Sequence, residues 1–388
     1  MIAARLLGPS GLGLVAIGFS AYLTLQALHH AFVVEPLVLA TTGAHPAERD
    51  HGTRTAITAV LVVAGASVAI LALLGLIVPA PVGRGLLLFA PWAGVAIIQD
   101  TWRSVLFRDE RGAAAAANDC AWALGMAMVL LPVALLRHDD IAVVSIWGAG
   151  AALAALVGFA QVGLGPIGLR PALAWLRTHA LPLGRWLALS IAVFSAGQQT
   201  VVFIVAALLG AQDVGGLRVA EVLFAPMTML IPALDLPVLP ALTREAAKSL
   251  RRATVAAARY GLLALTFVAA YMLAAALLRD HLLTWVFGAS FQRFRDLIFP
   301  YGFAQLFLAQ ALGYRILLRV TRHGKTLLAC QVASMVSTVA LVAALSTTYG
   351  VNGAAWAIAA GSVVASVLVS TIAWLQTWRR PGPVTGKT

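Results

Sequence analysis

Along this chain, runs of some twenty apolar residues alternate with short polar connections. A run of that length crosses a hydrocarbon layer of about 30 Å as a helix. Eleven runs stand out, at 10–32, 55–78, 85–105, 117–136, 141–163, 185–209, 218–240, 257–278, 297–318, 326–348 and 352–376. They are rich in Ala, Leu and Val and lack the alternation of a barrel strand. Helices are then the form that pairs every backbone group inside the membrane. The pattern predicts an all-α polytopic membrane protein whose sequence neighbours run antiparallel. The longest connections are 33–54, 164–184, 241–256 and 279–296.

Composition agrees with this picture. The chain is 61% apolar and 11% charged, whereas a soluble domain is about 45–50% apolar and about 25% charged. The net charge of +12 does not point to nucleic acid, because the basic residues sit between the runs and not on a separate soluble domain. Alternate connections divide them unequally, 20 Lys and Arg in one set and 7 in the other. The positive-inside rule places the richer set and the C-terminus in the cytoplasm, and Met1 outside. Cys120 and Cys330 lie in separate apolar runs and read as small buried hydrophobes, with no disulfide or metal cluster indicated.

Signals for enzymes are missing. No P-loop occurs, so the chain does not hydrolyse ATP. No HExxH motif or Cys/His ligand set is present. The Asp139-Asp140 pair lies in a connection too short to build an acceptor site. The expectation is a non-enzyme with neither cofactor nor metal.

The candidate chemistry lies in polar residues within the runs. An ionisable side chain near hydrocarbon costs about 2.5–3.5 kcal/mol on insertion scales, so it faces a bundle interior or a wet cavity. The stretch 91–126 carries Gln99, Asp100 and Arg103 on one helix and Asp119 on the next. Asp100 and Arg103 are three apart, on one helix face, where each partly neutralises the other. Arg218 and Glu221 repeat that spacing on the run 218–240. Asp235 stands between Pro232 and Pro237 in IPALDLPVLP, where a broken helix offers an ion site, a hinge or simply a cap. Gln198, Gln199, Gln305 and Gln310 present amides either to a sugar or to a neighbouring helix. Glu35 precedes Pro36 at the end of a run. His29 and His30 point to different faces and are expected at the membrane interface.

An internal echo organises the chain further. ARLLGPSGLGL at 4–14 is matched by AALLGAQDVGGL at 206–217, and more weakly by YGVNGAAWAIAAG at 349–361. The echo predicts two homologous lobes, 1–163 with five helices and 185–378 with six. A cytoplasmic loop at 164–184 joins them, and a tail at 379–388 follows. The second copy is preceded by a whole run and the first by five residues. The first lobe is therefore expected to lack its opening helix, with Met1 a mis-assigned start or a truncation.

These landmarks, together with HHAFVVEPLVL, QDTWRSVLFRDERGAAAAANDCAWAL and GGLRVAEVLFAPMTML, resemble polysaccharide flippases in order and spacing from residue 4 to about 375. Those proteins form the O-antigen/teichoic-acid branch of the multidrug/oligosaccharidyl-lipid/polysaccharide exporter superfamily, and the high Ala and Arg content looks actinobacterial. The resemblance implies two lobes around a central cavity that opens alternately to each side of the plasma membrane. It implies as cargo an undecaprenyl-diphosphate-linked glycan, with membrane lipids, a polysaccharide polymerase and glycosyltransferases as partners. Arg103 and Arg218 would hold the diphosphate, since guanidinium is always charged and binds such groups through two bonds. Gln99, Gln198, Gln199 and Gln305 would meet sugars. Asp100, Asp119, Glu221 and Asp235 would act as counter-ions or couple transport to an ion. The missing first helix is the departure from the family. Two other readings remain: a cation-coupled drug or metabolite exporter of the same superfamily, and a membrane partner that transports nothing.

Overall fold

The computed structural model describes residues 2–34, 36, 37, 41, 45–136, 139–163, 165, 168–180, 197, 199–321 and 323–379. All the elements among these residues are helical, and they form two compact units, Ile2–Ala207 and Leu208–Thr388.

The first unit holds α1 (Ile2–His29), which runs on into a π-helical turn at His30–Val34, then α2 (Pro46–Ile77), α3 (Val82–Arg108), α4 (Gly112–Leu136), α5 (Asp140–Val162) and α6 (Leu169–Trp175). A short helix α7 (Gln199–Leu208) closes it, and the rest of the expected run, 185–196, lies outside the described residues. Local signals set these bounds. Pro46, which has no N–H to leave unpaired, opens α2 with Glu48 in its first turn. Asp139 caps α5, accepting from the Ala142 N–H at 2.7 Å, and Gly163 ends that helix at φ 68°. Asp140 pairs with Arg84 at 2.8 Å. The Asp139-Asp140 pair is thus spent on a helix end.

Helix α3 is the centre of this unit, packed against α1, α2 and α5. Rings of Phe19, Tyr22, Phe89, Trp122 and Trp147 form one continuous aromatic cluster there. Trp102 is fully buried with its ring against Gly158. Helix α4 packs mainly on α5, so its other faces point outward. Cys120 on α4 is accordingly exposed, contrary to expectation, whereas Cys330 is buried.

The second unit runs α8 (Ala211–Leu223), α9 (Ala225–Ala233), α10 (Asp235–Lys248), α11 (Leu250–Leu277) and α12 (Arg279–Leu282), then π-helical and 3₁₀ turns to Leu297. It ends with α13 (Ile298–Gln310), α14 (Leu312–Val320) and α15 (Gly324–Arg379). The run 218–240 is not one straight helix, because α8 and α9 meet at 50° across Phe224. Pro226 explains the bend, since it offers no N–H to the turn before it and crowds that turn's carbonyl. Tyr271 of α11 donates its hydroxyl to the Leu223 carbonyl at the bend, at 2.6 Å. The run 297–318 is likewise interrupted, at Ala311. Among the described residues, seven helices are long and apolar enough to cross a membrane, and the bent α8–α9 pair adds an eighth.

Helix α15 contains two of the expected runs. Gly350 sits at φ 59° and ψ −144°, and the chain folds back there. The Ser334 hydroxyl donates to the Gly361 carbonyl at 2.8 Å, and Gly353 lies against the Leu345 carbonyl. The same backbone state marks the other two copies of the echo. Gly8 has φ 65° and ψ −171°, and Gly210 has φ 92° and ψ 175°. Positive φ with extended ψ is essentially glycine's alone, and in each copy a helix starts on its far side. The similarity in sequence is therefore also a similarity in backbone.

Close helix approach is the other requirement met by glycine. A Cβ on Gly313 would lie 2.0 Å from the Ala257 carbonyl oxygen of α11, and one on Gly261 would lie 2.4 Å from that of Gln310. Small residues of this kind let membrane helices cross at backbone distance. Replacing Gly313 by Leu should destabilise the purified protein in detergent by about 1–3 kcal/mol or prevent folding. Gly65→Ala, where a Cβ meets nothing within 4 Å, should be neutral or slightly stabilising. Equal unfolding temperatures for Gly313→Leu and wild type would contradict this packing.

Candidate functional site

In the first unit the buried chemistry gathers where the end of α1 meets α3. Asp100, 8% exposed, takes His30 Nε2 on its carboxylate at 2.5 Å. One residue on, Thr101 contacts His29 Nε2 at 2.8 Å. The Thr101 hydroxyl spends its proton on the Ile97 carbonyl at 3.0 Å. His29 Nε2 must then be the donor, which leaves Nδ1 with a bare lone pair. Nδ1 is buried and has no partner among the described residues. The two histidines are consecutive at the end of α1, where the π-helical turn begins, and Asp100 and Thr101 are consecutive on α3. Two adjacent pairs thus lock one helix to the other.

His29 is 1% exposed and His30 is paired with Asp100, so both histidines are engaged within the unit. One expectation is corrected: Asp100 and Arg103 do not neutralise each other. Arg103 turns instead to Asp119 of α4, with Nε to Oδ1 at 3.3 Å, and lies 5.6 Å over the Phe107 ring. Sharing a helix face leaves two side chains free to choose, and here each finds a partner on a neighbouring helix. Arg103 and Asp119 are both nearly half exposed.

Gln99 belongs to a third group. It donates to the Asn118 carbonyl oxygen at 2.8 Å, and Asn118 donates to the Ala154 carbonyl at 2.7 Å and to Gln161 at 3.3 Å. The chain of amides ties α3, α4 and α5 together. Arg108, 3% exposed at its side chain, donates to Thr41 and Thr53 at 2.9 and 3.0 Å and pairs with Asp109. Sequence reasoning missed His30, Asn118 and Arg108 as organising residues. The signal was the same in each case, a strongly polar side chain in or bordering an apolar run.

In the second unit, Arg218 and Glu221 pair at 2.7 Å as their spacing predicts. They stand on α8 just before the bend at Phe224, and the half-buried Tyr301 of α13 lies within electrostatic reach of both. Gln305 is buried on α13. Gln310 joins α13 to α15 through Ser366 and through Ser370 at 3.4 Å. Asp235 is the first residue of α10, so the predicted break in the proline-rich segment is present. Gln199 is half-buried on α7, while Gln198 and Glu35 lie outside the described residues.

Chemically, the first unit offers a buried titratable pair and the second a guanidinium at a helix bend. Neither a protein-family model nor a curated relative matches the sequence. Solved structures do. The fold is similar to that of solved membrane transporters. An inward-facing multidrug resistance MATE family transporter of the MOP superfamily superposes with a TM-score of 0.68 at 16% identity, over 97% of this chain and 92% of its own. The lipid II flippase MurJ in an inward closed conformation gives 0.70 at 12% identity, over 98% of this chain and 87% of its own. At such identities the likeness establishes the fold.

If the Asp100–His30 contact holds α1 to α3, Asp100→Asn should cost about 1–3 kcal/mol. The double variant with His30→Ala should cost less than the sum of the two single changes. Thermal unfolding in detergent of the wild type, both single variants and the double variant measures this. Strict additivity would show that the pair carries no coupling.

Proposed function

We propose that this protein is a flippase that moves an undecaprenyl-diphosphate-linked oligosaccharide from the cytoplasmic to the outer leaflet of the plasma membrane for surface polysaccharide synthesis. Its C-terminus is cytoplasmic in this reading, and a polymerase and glycosyltransferases are its working partners. The observation that carries the reading is Arg218. A guanidinium inside a membrane-spanning helix, held by Glu221 beside a bend, supplies a permanent positive charge where an anionic head group has to pass. Broken helices are where transporters of many folds place their substrate and ion sites. Arg103, paired with Asp119 in the first unit, supplies a second guanidinium. The polyprenyl tail can stay in lipid, so only the diphosphate and sugars need polar partners. A fold shared with a lipid II flippase supports the same direction.

The buried Asp100–His30 pair favours a second reading, an exporter of drugs or metabolites driven by a cation gradient. The two differ in what they require. A diphosphate carrier needs its arginines, whereas a cation-coupled exporter needs its carboxylate and tolerates loss of the arginines.

A strain lacking the gene, complemented with each variant at matched membrane levels, separates them. Wild type should restore surface polymer and clear accumulated lipid-linked glycan from extracted lipids. Arg218→Gln and Arg103→Gln should each leave glycan on the lipid carrier, with partial recovery for the Lys substitutions, which keep charge but lose the two-bond contact. Full export by both Gln variants alongside failure of Asp100→Asn would move the assignment to the exporter.

A further inference from the structure

Helices α10 and α11 meet at Ser249, at the start of the apolar span Leu250–Leu277, where the backbone is extended (φ −169°, ψ 137°). The two helices diverge around a groove of about 820 Å³ lined by Lys248, Arg251, Arg252, Arg259, Tyr260 and Leu263. An adjoining hollow of about 560 Å³ adds Arg244. The spacing explains the convergence. Arg244 and Lys248 are one turn apart on α10, and Arg252, Arg259, Tyr260 and Leu263 recur on one stripe of α11.

The charge there is poorly compensated. Glu245 is the one acid lining the groove, and it is already bound to Lys248 at 2.7 Å. That bond holds its carboxyl below the usual range, so it stays ionised. Among the described residues, Arg244, Arg251, Arg252 and Arg259 form no ion pair. The start of α11 adds to the excess. It has no acidic residue in its first turn and no side-chain cap, so its N-terminal partial charge is positive. Two arginines in that turn are unfavourable unless an anion sits with them.

Apolar surface continues from the groove along α11. Val255, Leu262 and Leu263 are 47%, 61% and 67% exposed, and Phe267 lies one turn further. A ligand here would find cations at one end and a greasy helix face leading into the membrane at the other. Free phosphate would use only the first of these.

We propose that the α10–α11 groove binds the phosphate-bearing head group of a membrane lipid, with the lipid's hydrocarbon lying along the exposed face of α11. The site stands on the groove alone and holds whichever cargo the protein carries.

The test uses the full chain purified in a neutral maltoside detergent and titrated calorimetrically with dihexanoyl phosphatidic acid, dihexanoyl phosphatidylcholine and inorganic phosphate. Phosphatidic acid should bind saturably and more weakly as salt rises, phosphatidylcholine should not bind, and inorganic phosphate should bind far more weakly than the lipid. The triple variant Arg251→Gln, Arg252→Gln, Arg259→Gln should lose roughly tenfold or more in affinity, since basic residues at a membrane surface carry the attraction for anionic head groups. Glu245→Gln should bind more tightly than wild type, a gain that misfolding does not produce. Unchanged affinity in the triple variant, or equal binding of the two lipids, overturns the site. Inorganic phosphate binding as tightly as phosphatidic acid overturns the lipid as its ligand.

Discussion

The constraint on which the rest depends is that hydrocarbon offers no partner to an unpaired peptide group. A membrane helix can bend only where something else supplies the missing bond. At Phe224 the chain does bend, because Pro226 cannot continue the ladder, and the hydroxyl of Tyr271 reaches from α11 to the Leu223 carbonyl. The bend and the tyrosine are one feature distributed over two helices.

The same scarcity of partners governs side chains. Asp100 is tolerable in the first unit because His30 reaches it, and Gln99 because Asn118 does. None of these residues would be stable alone against lipid. Each is held by a partner from another helix, so the polar contacts fix helix rotation as well as satisfying charge. Glycines at the crossings complete the arrangement by letting backbones touch, as at Gly313 and Ala257. Packing and polar pairing are therefore coupled, and a change in either rotates a helix away from both.

Much of the fold was legible in the sequence because hydrocarbon thickness fixes helix length. The runs 55–78, 117–136 and 141–163 each match an observed helix to within one residue at its C-terminal end. The echo of LLG segments foretold a repeated backbone device at Gly8, Gly210 and Gly350. What was not legible was whether a run stays straight. The interruption at Ala311 has no proline beside it and coincides with the close crossing by α11. The site divided the same way. Arg218 and Glu221 could be paired from spacing because both lie on one helix. Asp100 could not be assigned to His30, 70 residues away, since periodicity along a helix carries no information about which neighbour packs against it.

The arginines of this chain fall into two populations, and the difference is physical. Arg103, Arg108 and Arg218 each have a carboxylate within reach. Inside or beside low-dielectric surroundings an unpaired guanidinium costs several kcal/mol, so these positions require compensation. The arginines around Ser249 are exposed and form no ion pair among the described residues, and a charge count reads them only as topology signals. Orientation alone, however, is satisfied by basic residues anywhere in a connection. It does not require that they line one groove, flank the start of a helix or adjoin a row of exposed leucines. Those coincidences restrict position within the connection, and recognition of an anionic head group imposes restrictions of that kind.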